Sequence, residues 1–316
     1  MAHRIFVDGQ EGTTGLQIVQ RLSRHPEVTL LSIDPDKRKD PEEKAKVINA
    51  SDVTFLCLPD AAAKESAALL HNPHTRMIDA STAHRVDPGW AYGIPELSPA
   101  QRDRIAHAQK VANPGCHASG FVMAVAPLVA AGLLPTDALL SCHSITGYSG
   151  GGKKMIAEYE DADRNAVLSG TLPYGLTLQH KHIPEMTAHT GLTQPPIFMP
   201  ILGDFAQGML VHVPLHNRQL TRSISGQGLR DLLAAHYEGE AFVQVPPLGA
   251  ADALYAGRLD PQALNGTNRM EIFIFSNGEQ HLIVSRLDNL GKGASGAAVQ
   301  NMNVMLGLDE RLGLTE

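Results

Sequence analysis

Along the first hundred residues, short apolar runs alternate with helical patterns: residues 5–7 then 16–22, 28–33, 53–58 then 61–70, and 77–80. Strand, helix and strand repeated in this order require crossover connections. The pattern therefore predicts an α/β fold with a Rossmann-type, doubly wound parallel sheet, a nucleotide-binding architecture. Past residue 115 the pattern changes. An apolar, Ala-rich run over residues 121–134, interrupted by Pro127 and Gly132, predicts a buried helix and falls short of the roughly 20 residues that span a bilayer. Longer strand-like runs follow at 139–145, 197–202, 209–214, 270–275 and 281–285 with no helical pattern between them. They predict a second, α+β domain on a mixed or antiparallel sheet. In the tail, Ala297, Ala298, Met302, Met305 and Leu306 recur at helical spacing between glycines, which predicts one more helix. No repeat or low-complexity segment interrupts this plan.

A chain of 316 residues exceeds one typical domain, and 43% hydrophobic with 19% charged residues is a globular composition. The net charge of −7 supplies no basic footprint, so no nucleic-acid partner is expected. Three scattered cysteines, Cys57, Cys116 and Cys142, form no disulfide framework. The opening MAHRIFVDG carries no apolar segment ahead of a cleavage site. A cytoplasmic protein without membrane partners is the expectation.

The segment DGQEGTTG places Gly9, Gly12 and Gly15, with Thr13 and Thr14 between them, after the first strand and at the opening of the first helix. Glycines there let the backbone turn tightly and approach a pyrophosphate, whose charge rests on the free N–H groups of the helix start. The spacing departs from GxGxxG, and a plain glycine-rich turn has the same composition, so position rather than pattern points to a dinucleotide. The second strand ends at Asp34, which suits ribose hydroxyls. Lys37, Arg38 and Lys39 follow and suit the additional phosphate of NADP, the cofactor favoured here over a merely solvated basic loop.

Cys116 follows an Asn-Pro-Gly turn where a strand ends and a helix begins. Unpaired N–H groups at a helix start favour the thiolate and make a nucleophile, whereas Cys57 and Cys142 sit inside apolar strands as small hydrophobes. Among 15 histidines most are surface or core residues, but His180-Lys181-His182-Ile183-Pro184-Glu185 brings two imidazoles and a carboxylate together. In an extended segment both rings point to one side. Either His180 or His182 would serve as general acid/base, with Glu185 orienting it. No CxxC or HExxH spacing accompanies them, so no metal is expected. The loop Gly147-Tyr148-Ser149-Gly150-Gly151-Gly152-Lys153-Lys154 offers consecutive N–H groups and two lysines to a substrate phosphate, or is a flexible connector.

These stretches together resemble the N-acetyl-gamma-glutamyl-phosphate reductase family of arginine biosynthesis, in its shorter form. The resemblance runs through GQEGTTG, YGIPEL at residues 92–97, NPGC at 113–116, GYSGGGKK, HKHIPE and DNLGKGASGAAVQNMN at 288–303. It implies an NADP-binding domain over residues 1–115, completed by a C-terminal helix at 290–316. It also implies a catalytic and dimerisation domain over 116–289, and a homodimer or homotetramer. By the same resemblance Cys116 is the nucleophile, His182 the acid/base and Glu185 the motif glutamate. The resemblance also puts Tyr174 near the substrate and Asn289 and Lys292 near the nicotinamide, while Ser149, Gly150 and His180 are expected at the substrate from their own segments. Where the family usually continues PGC with an aromatic, a small residue and Thr, this chain has His117-Ala118-Ser119. The implied reaction takes an acyl phosphate through a Cys116 thioester to a semialdehyde and inorganic phosphate with NADPH. The rival readings are an aspartate-semialdehyde dehydrogenase, where an Asn-Cys dipeptide is expected in place of Gly115-Cys116, and a non-catalytic NADP-binding sensor.

Overall fold

A computed structural model describes residues 2–315. In chain order it contains β1 (His3–Asp8), α1 (Thr13–Leu22), β2 (Val28–Leu31), α2 (Pro41–Ala50), β3 (Val53–Leu56), α3 (Asp60–Ala68), β4 (Arg76–Asp79), β5 (Ala91–Tyr92), α4 (Pro99–His107) and β6 (Lys110–Ala112). There follow α5 (Cys116–Ala130), β7 (Ser141–Gly147), α6 (Gly152–Glu160), β8 (Leu172–Pro173), α7 (Ile183–Thr190), β9 (Ile197–Gly203) and β10 (Met209–His216). The chain closes with α8 (Gly226–His236), β11 (Val243–Gln244), β12 (Leu254–Tyr255), β13 (Arg258–Leu259), β14 (Met270–Asn277), β15 (Gln280–Leu287) and α9 (Gly296–Leu306). Its packing separates residues up to Gly115 with Ala294–Thr315 from Cys116–Gly293. The return into the first unit thus comes at Ala294 rather than at residue 290, and the terminal residues 1 and 316 of the expected domain lie outside the described range.

In the first unit six strands run parallel in the order β2-β1-β3-β4-β6-β5. Ile5, Phe6 and Val7 of β1 and all of β3 are buried, as strands covered on both faces must be. Because β1 lies between β2 and β3, the winding direction reverses there, and the loop after β1 opens at that switch point. Helix α9 belongs to this unit: Ala298, Val299, Met302 and Met305 join one core with Ile5, Val7, Ile18 and Phe55.

In the second unit seven strands form a mixed sheet in the order β11-β14-β15-β10-β7-β9-β8, with β7/β9 and β11/β14 parallel and the other pairs antiparallel. The buried helix predicted over residues 121–134 is α5, which begins earlier and continues past Pro127. Proline has no N–H for the carbonyl one turn back, and the Tyr237 hydroxyl donates to that carbonyl, Met123 O, at 2.6 Å.

The expectation of strands without intervening helices was wrong, because α6, α7 and α8 lie between them. The stripes buried by α6 and α7 are thin, whereas α8 buries Leu229 and Leu233 one turn apart. Helix α6 buries Tyr159 alone, and α7 buries Glu185, Met186 and Thr190, two of them polar. In the first unit α2 and α4 likewise bury one residue each, Ile48 and Ile105, so neither produces a helical hydrophobic period. Among the described residues no helix is long and apolar enough to cross a membrane.

Candidate active site

The loop after β1 is built for close backbone approach. Gly9 has φ +91°, and a Cβ there would stand 2.4 Å from Cys57 O. A Cβ on Gly15 would stand 2.2 Å from Gly9 O, whereas one on Gly12 would meet nothing nearer than 3.6 Å. Only Gly12 is therefore free of a packing demand, so its small size keeps space open rather than closing a turn. Helix α1 starts with Gly12 at its N-cap and no side-chain cap. The Thr13 hydroxyl oxygen is buried with no hydrogen-bond partner among the described residues. Uncapped N–H groups and an orphaned hydroxyl beside a backbone cradle fit a dinucleotide pyrophosphate. Thr14 is the second residue of the helix. After β2, the Asp34 carboxylate accepts from Asp36 N at 3.0 Å and caps the short turn holding Lys37. Arg38 reaches back to pair with Glu11 of the glycine loop.

In the second unit Cys116 is the first residue of α5, partly accessible, with N–H groups of the first turn around it. Gly293 packs against it, since a Cβ there would lie 2.7 Å from Cys116 Cβ. Burial pushes the Cys57 and Cys142 thiols up, with the Asp79 and Asp8 charges adding to the effect at Cys57. Both are thereby kept neutral and inert.

Helix α7 packs on α5 and carries the HKHIPE segment to the thiol. That segment is a turn rather than the extended segment assumed from its sequence: His182 is the helical N-cap of α7 and its backbone N donates to His180 Nδ1 at 3.2 Å. The two rings still meet, edge to face at 4.8 Å. Glu185, buried in the first turn of α7, has Oε1 3.9 Å from His182 Nε2. The carboxylate is within ion-pair range of a protonated imidazole but too far for a hydrogen bond.

His117 completes the cluster, and its role had no signal in the sequence beyond the departure from the family pattern. Its Nδ1 lies 2.7 Å from Ser144 Oγ on β7 and its Nε2 3.0 Å from Tyr174 Oη. The sheet explains the match. Ser144 is in register with Pro200 of β9, and Tyr174, just past β8, donates its backbone N–H to the same Pro200 O at 3.0 Å. His117 also packs against His182, His180 and Phe198 with ring centroids 5.5, 5.8 and 5.2 Å away. Burial, then the neighbouring His180 and Lys181 charges, push His117 down to about 3, so it is neutral at physiological pH. Burial, and next the Cys116 charge, push the Tyr174 phenol up, so it remains a hydrogen-bond donor.

In the loop around Ser149, read from the sequence either as phosphate donors or as a connector, two of the consecutive N–H groups are already engaged. Tyr148 N and Ser149 N already donate to Phe205 O and Ala206 O, each at 3.0 Å, and Ser149 Oγ accepts from Asn289 Nδ2 at 3.0 Å. Gly150 is exposed beside Asn289, and Lys153 and Lys154 are exposed on α6. Asn289 Oδ1 accepts from Gly208 N at 2.9 Å, and Lys292 is buried with its Nζ 5.8 Å from the Phe242 ring centre.

A dinucleotide cradle on a parallel sheet, joined in one chain to a helix-terminal thiol on a mixed sheet, defines a semialdehyde dehydrogenase. Family models described as the NAD binding domain and the dimerisation domain of semialdehyde dehydrogenase match residues 4–106 and 116–289. Aspartate semialdehyde dehydrogenase II of Vibrio cholerae, solved in complex with ASA, superposes with a TM-score of 0.73. The match covers 97% of this chain and 99% of that one at 13% identity, a likeness of fold alone. Within that class the chain belongs to the N-acetyl-gamma-glutamyl-phosphate reductase family. It is 49% identical to the N-acetyl-gamma-glutamyl-phosphate reductase of Trichormus variabilis, over 98% of this chain and 99% of the relative. It is 47% identical to N-acetyl-gamma-glutamyl-phosphate reductase 2 of Pseudomonas putida, over 96% of each. The first unit is thus a nicotinamide-dinucleotide domain.

Proposed function

We propose that this chain reduces N-acetyl-gamma-glutamyl phosphate to N-acetylglutamate semialdehyde and inorganic phosphate with NADPH, in arginine biosynthesis. The observation that carries the reading is the convergence of Cys116 at the start of α5 with His182 at the start of α7, in a chain 49% identical to a reductase of that name.

The Cys116 thiolate attacks the acyl carbon, the bond to phosphate breaks, and a thioester forms with inorganic phosphate as leaving group. N–H groups of the first turn of α5 stabilise the oxyanion of the tetrahedral intermediate. A bound nicotinamide supplies the hydride that brings the thioester to the aldehyde level. His182 gives a proton to the resulting oxyanion and takes it back as the C–S bond breaks, releasing the semialdehyde and regenerating the thiolate. Glu185 stabilises the protonated imidazole, and Tyr174 donates to the substrate with His180, Ser149 and Gly150 beside it. Gly9, Gly12, Thr13, Thr14 and Gly15 hold the pyrophosphate, Lys37 and Arg38 select NADP, and Asn289 and Lys292 go with the nicotinamide on the family resemblance. A cytoplasmic homodimer or homotetramer accompanies this reading, supported by the dimerisation-domain match over residues 116–289.

The test runs the reaction backwards with N-acetylglutamate semialdehyde and aspartate semialdehyde in parallel, at matched phosphate and cofactor. NADPH formation from the acetylated substrate, dependent on phosphate and abolished in Cys116→Ser with NADP binding intact, is the expected result. Preference for aspartate semialdehyde would overturn the substrate assignment, and NADP binding without any turnover would make the chain a sensor. Arg38→Ala is expected to raise the KM for NADP about tenfold while leaving that for NAD in place, as loss of a phosphate contact does.

A further inference from the structure

Cys116, His117 and His182 each offer one ligand atom, and those atoms all lie within 4.8 Å of one another. They come from the first turn of α5 and the N-cap of α7, two packed helices, so no sequence spacing announces the group. We infer that the three side chains form a binding site for a thiophilic divalent cation, Zn2+ foremost, which shuts the enzyme off by occupying its nucleophile. The inhibition rests on the functional reading above; the binding does not.

One thiolate and two imidazoles are a donor set that zinc takes in a tetrahedron with a fourth position open. Bond lengths of about 2.0–2.3 Å put ligand atoms roughly 3.3–3.8 Å apart, so closure requires movements of about 1 Å. His117 is prepared for it by one buried contact. Its Nδ1 lies 2.7 Å from the buried Ser144 hydroxyl, and when the ring proton shifts from Nε2 to Nδ1 that oxygen accepts it, the outer contact that orients a metal-binding imidazole and frees Nε2 for the ion. The Tyr174 hydroxyl, 3.0 Å from Nε2, gives up that hydrogen bond and adjoins the fourth position, since two ligands of a tetrahedral zinc stand roughly 3.3 Å apart. Binding replaces the Cys116 thiol proton, released to solvent, with an S–Zn bond. No electrons are transferred.

The experiment uses the full chain stripped with a chelator, with CoCl2 and ZnCl2 as the probes. One Co2+ per chain is expected to give a sulfur-to-cobalt charge-transfer band with intense tetrahedral visible bands, and ZnCl2 to displace it. ZnCl2 should slow alkylation of Cys116 by iodoacetamide at least tenfold, with EDTA restoring the rate. Ser144→Ala should weaken zinc binding about tenfold through loss of the outer contact, and His117→Phe should weaken it further. No charge-transfer band, or equal zinc affinity in wild type and in a folded His117→Phe, overturns the site. If His117→Phe fails to fold, unchanged affinity in Ser144→Ala overturns it instead. These readouts use no substrate, so a stripped chain that binds cobalt but turns nothing over would refute the functional reading and leave the cation site standing.

Discussion

His117 and Tyr174, far apart in sequence, share a hydrogen bond of 3.0 Å between Nε2 and Oη. The direction follows from Ser144, whose fully buried hydroxyl meets His117 Nδ1 at 2.7 Å. Were the ring to donate there, the serine hydrogen would need a second acceptor in a dry site, at a cost of about 1–3 kcal/mol. Ser144 therefore donates to Nδ1, Nε2–H donates to Tyr174, and the phenolic hydrogen is left for a further acceptor, which on the proposed function is the substrate. Tyr174→Phe is expected to lower kcat/KM about tenfold with the melting temperature unchanged, the loss of one hydrogen bond to a polar substrate group. Steady-state kinetics beside a thermal melt checks it. A variant as active as wild type would show that the phenol faces elsewhere.

The three loop glycines make different demands. Gly9→Ala places a side chain at φ +91° and against Cys57 O, so it should destabilise the first unit by about 2 kcal/mol or more. Gly12→Ala meets only ordinary contacts and should leave stability nearly unchanged while weakening dinucleotide binding at least about tenfold by filling the space the pyrophosphate needs. Urea unfolding and a cofactor fluorescence titration, done on both variants, separate the two effects.

Tyr237 supplies the donor that Pro127 denies to Met123 O. Removing it in Tyr237→Phe leaves a buried carbonyl without that partner and should cost about 1–3 kcal/mol of unfolding free energy, with turnover retained. The urea midpoint is the measurement, and an unshifted midpoint would mean that water serves the carbonyl equally well.

His212 on β10 lies opposite His143 on β7, and burial lowers its pKa from the ordinary 6.5, an effect only partly offset by the bond to His143 O. The unfolded chain takes up a proton near pH 6.5 that the folded chain does not yet accept. This contribution to stability is complete above about pH 6.5 and declines as the pH falls below it. His212→Leu should therefore flatten the acid limb, losing less stability than wild type between pH 7.5 and 5.5 in paired denaturant titrations. Parallel losses in the two proteins would assign the acid sensitivity to other groups.

Much of the first unit was legible in the chain because a parallel sheet buries both faces of its strands. Continuous apolar runs at β1 and β3 announce that without reference to anything distant. The glycines after β1 and the thiol at the start of α5 were equally readable, since a turn residue beside a helix start is a local fact. Helices that bury a single residue, such as α2 with Ile48, were not readable, because their position depends on one contact rather than on a stripe.

By itself, then, the sequence determined the parallel sheet, the glycine turn after its first strand and the thiol at a helix end, all of which rest on neighbours within a few residues. Only the tertiary structure decided that His117 would meet Ser144 and Tyr174, that α7 would carry His182 to Cys116, and that Asn289 would hold Ser149. Those meetings depend on strand register and on how two helices pack. Register and packing are settled by how the whole sheet fills its core, which no local periodicity records.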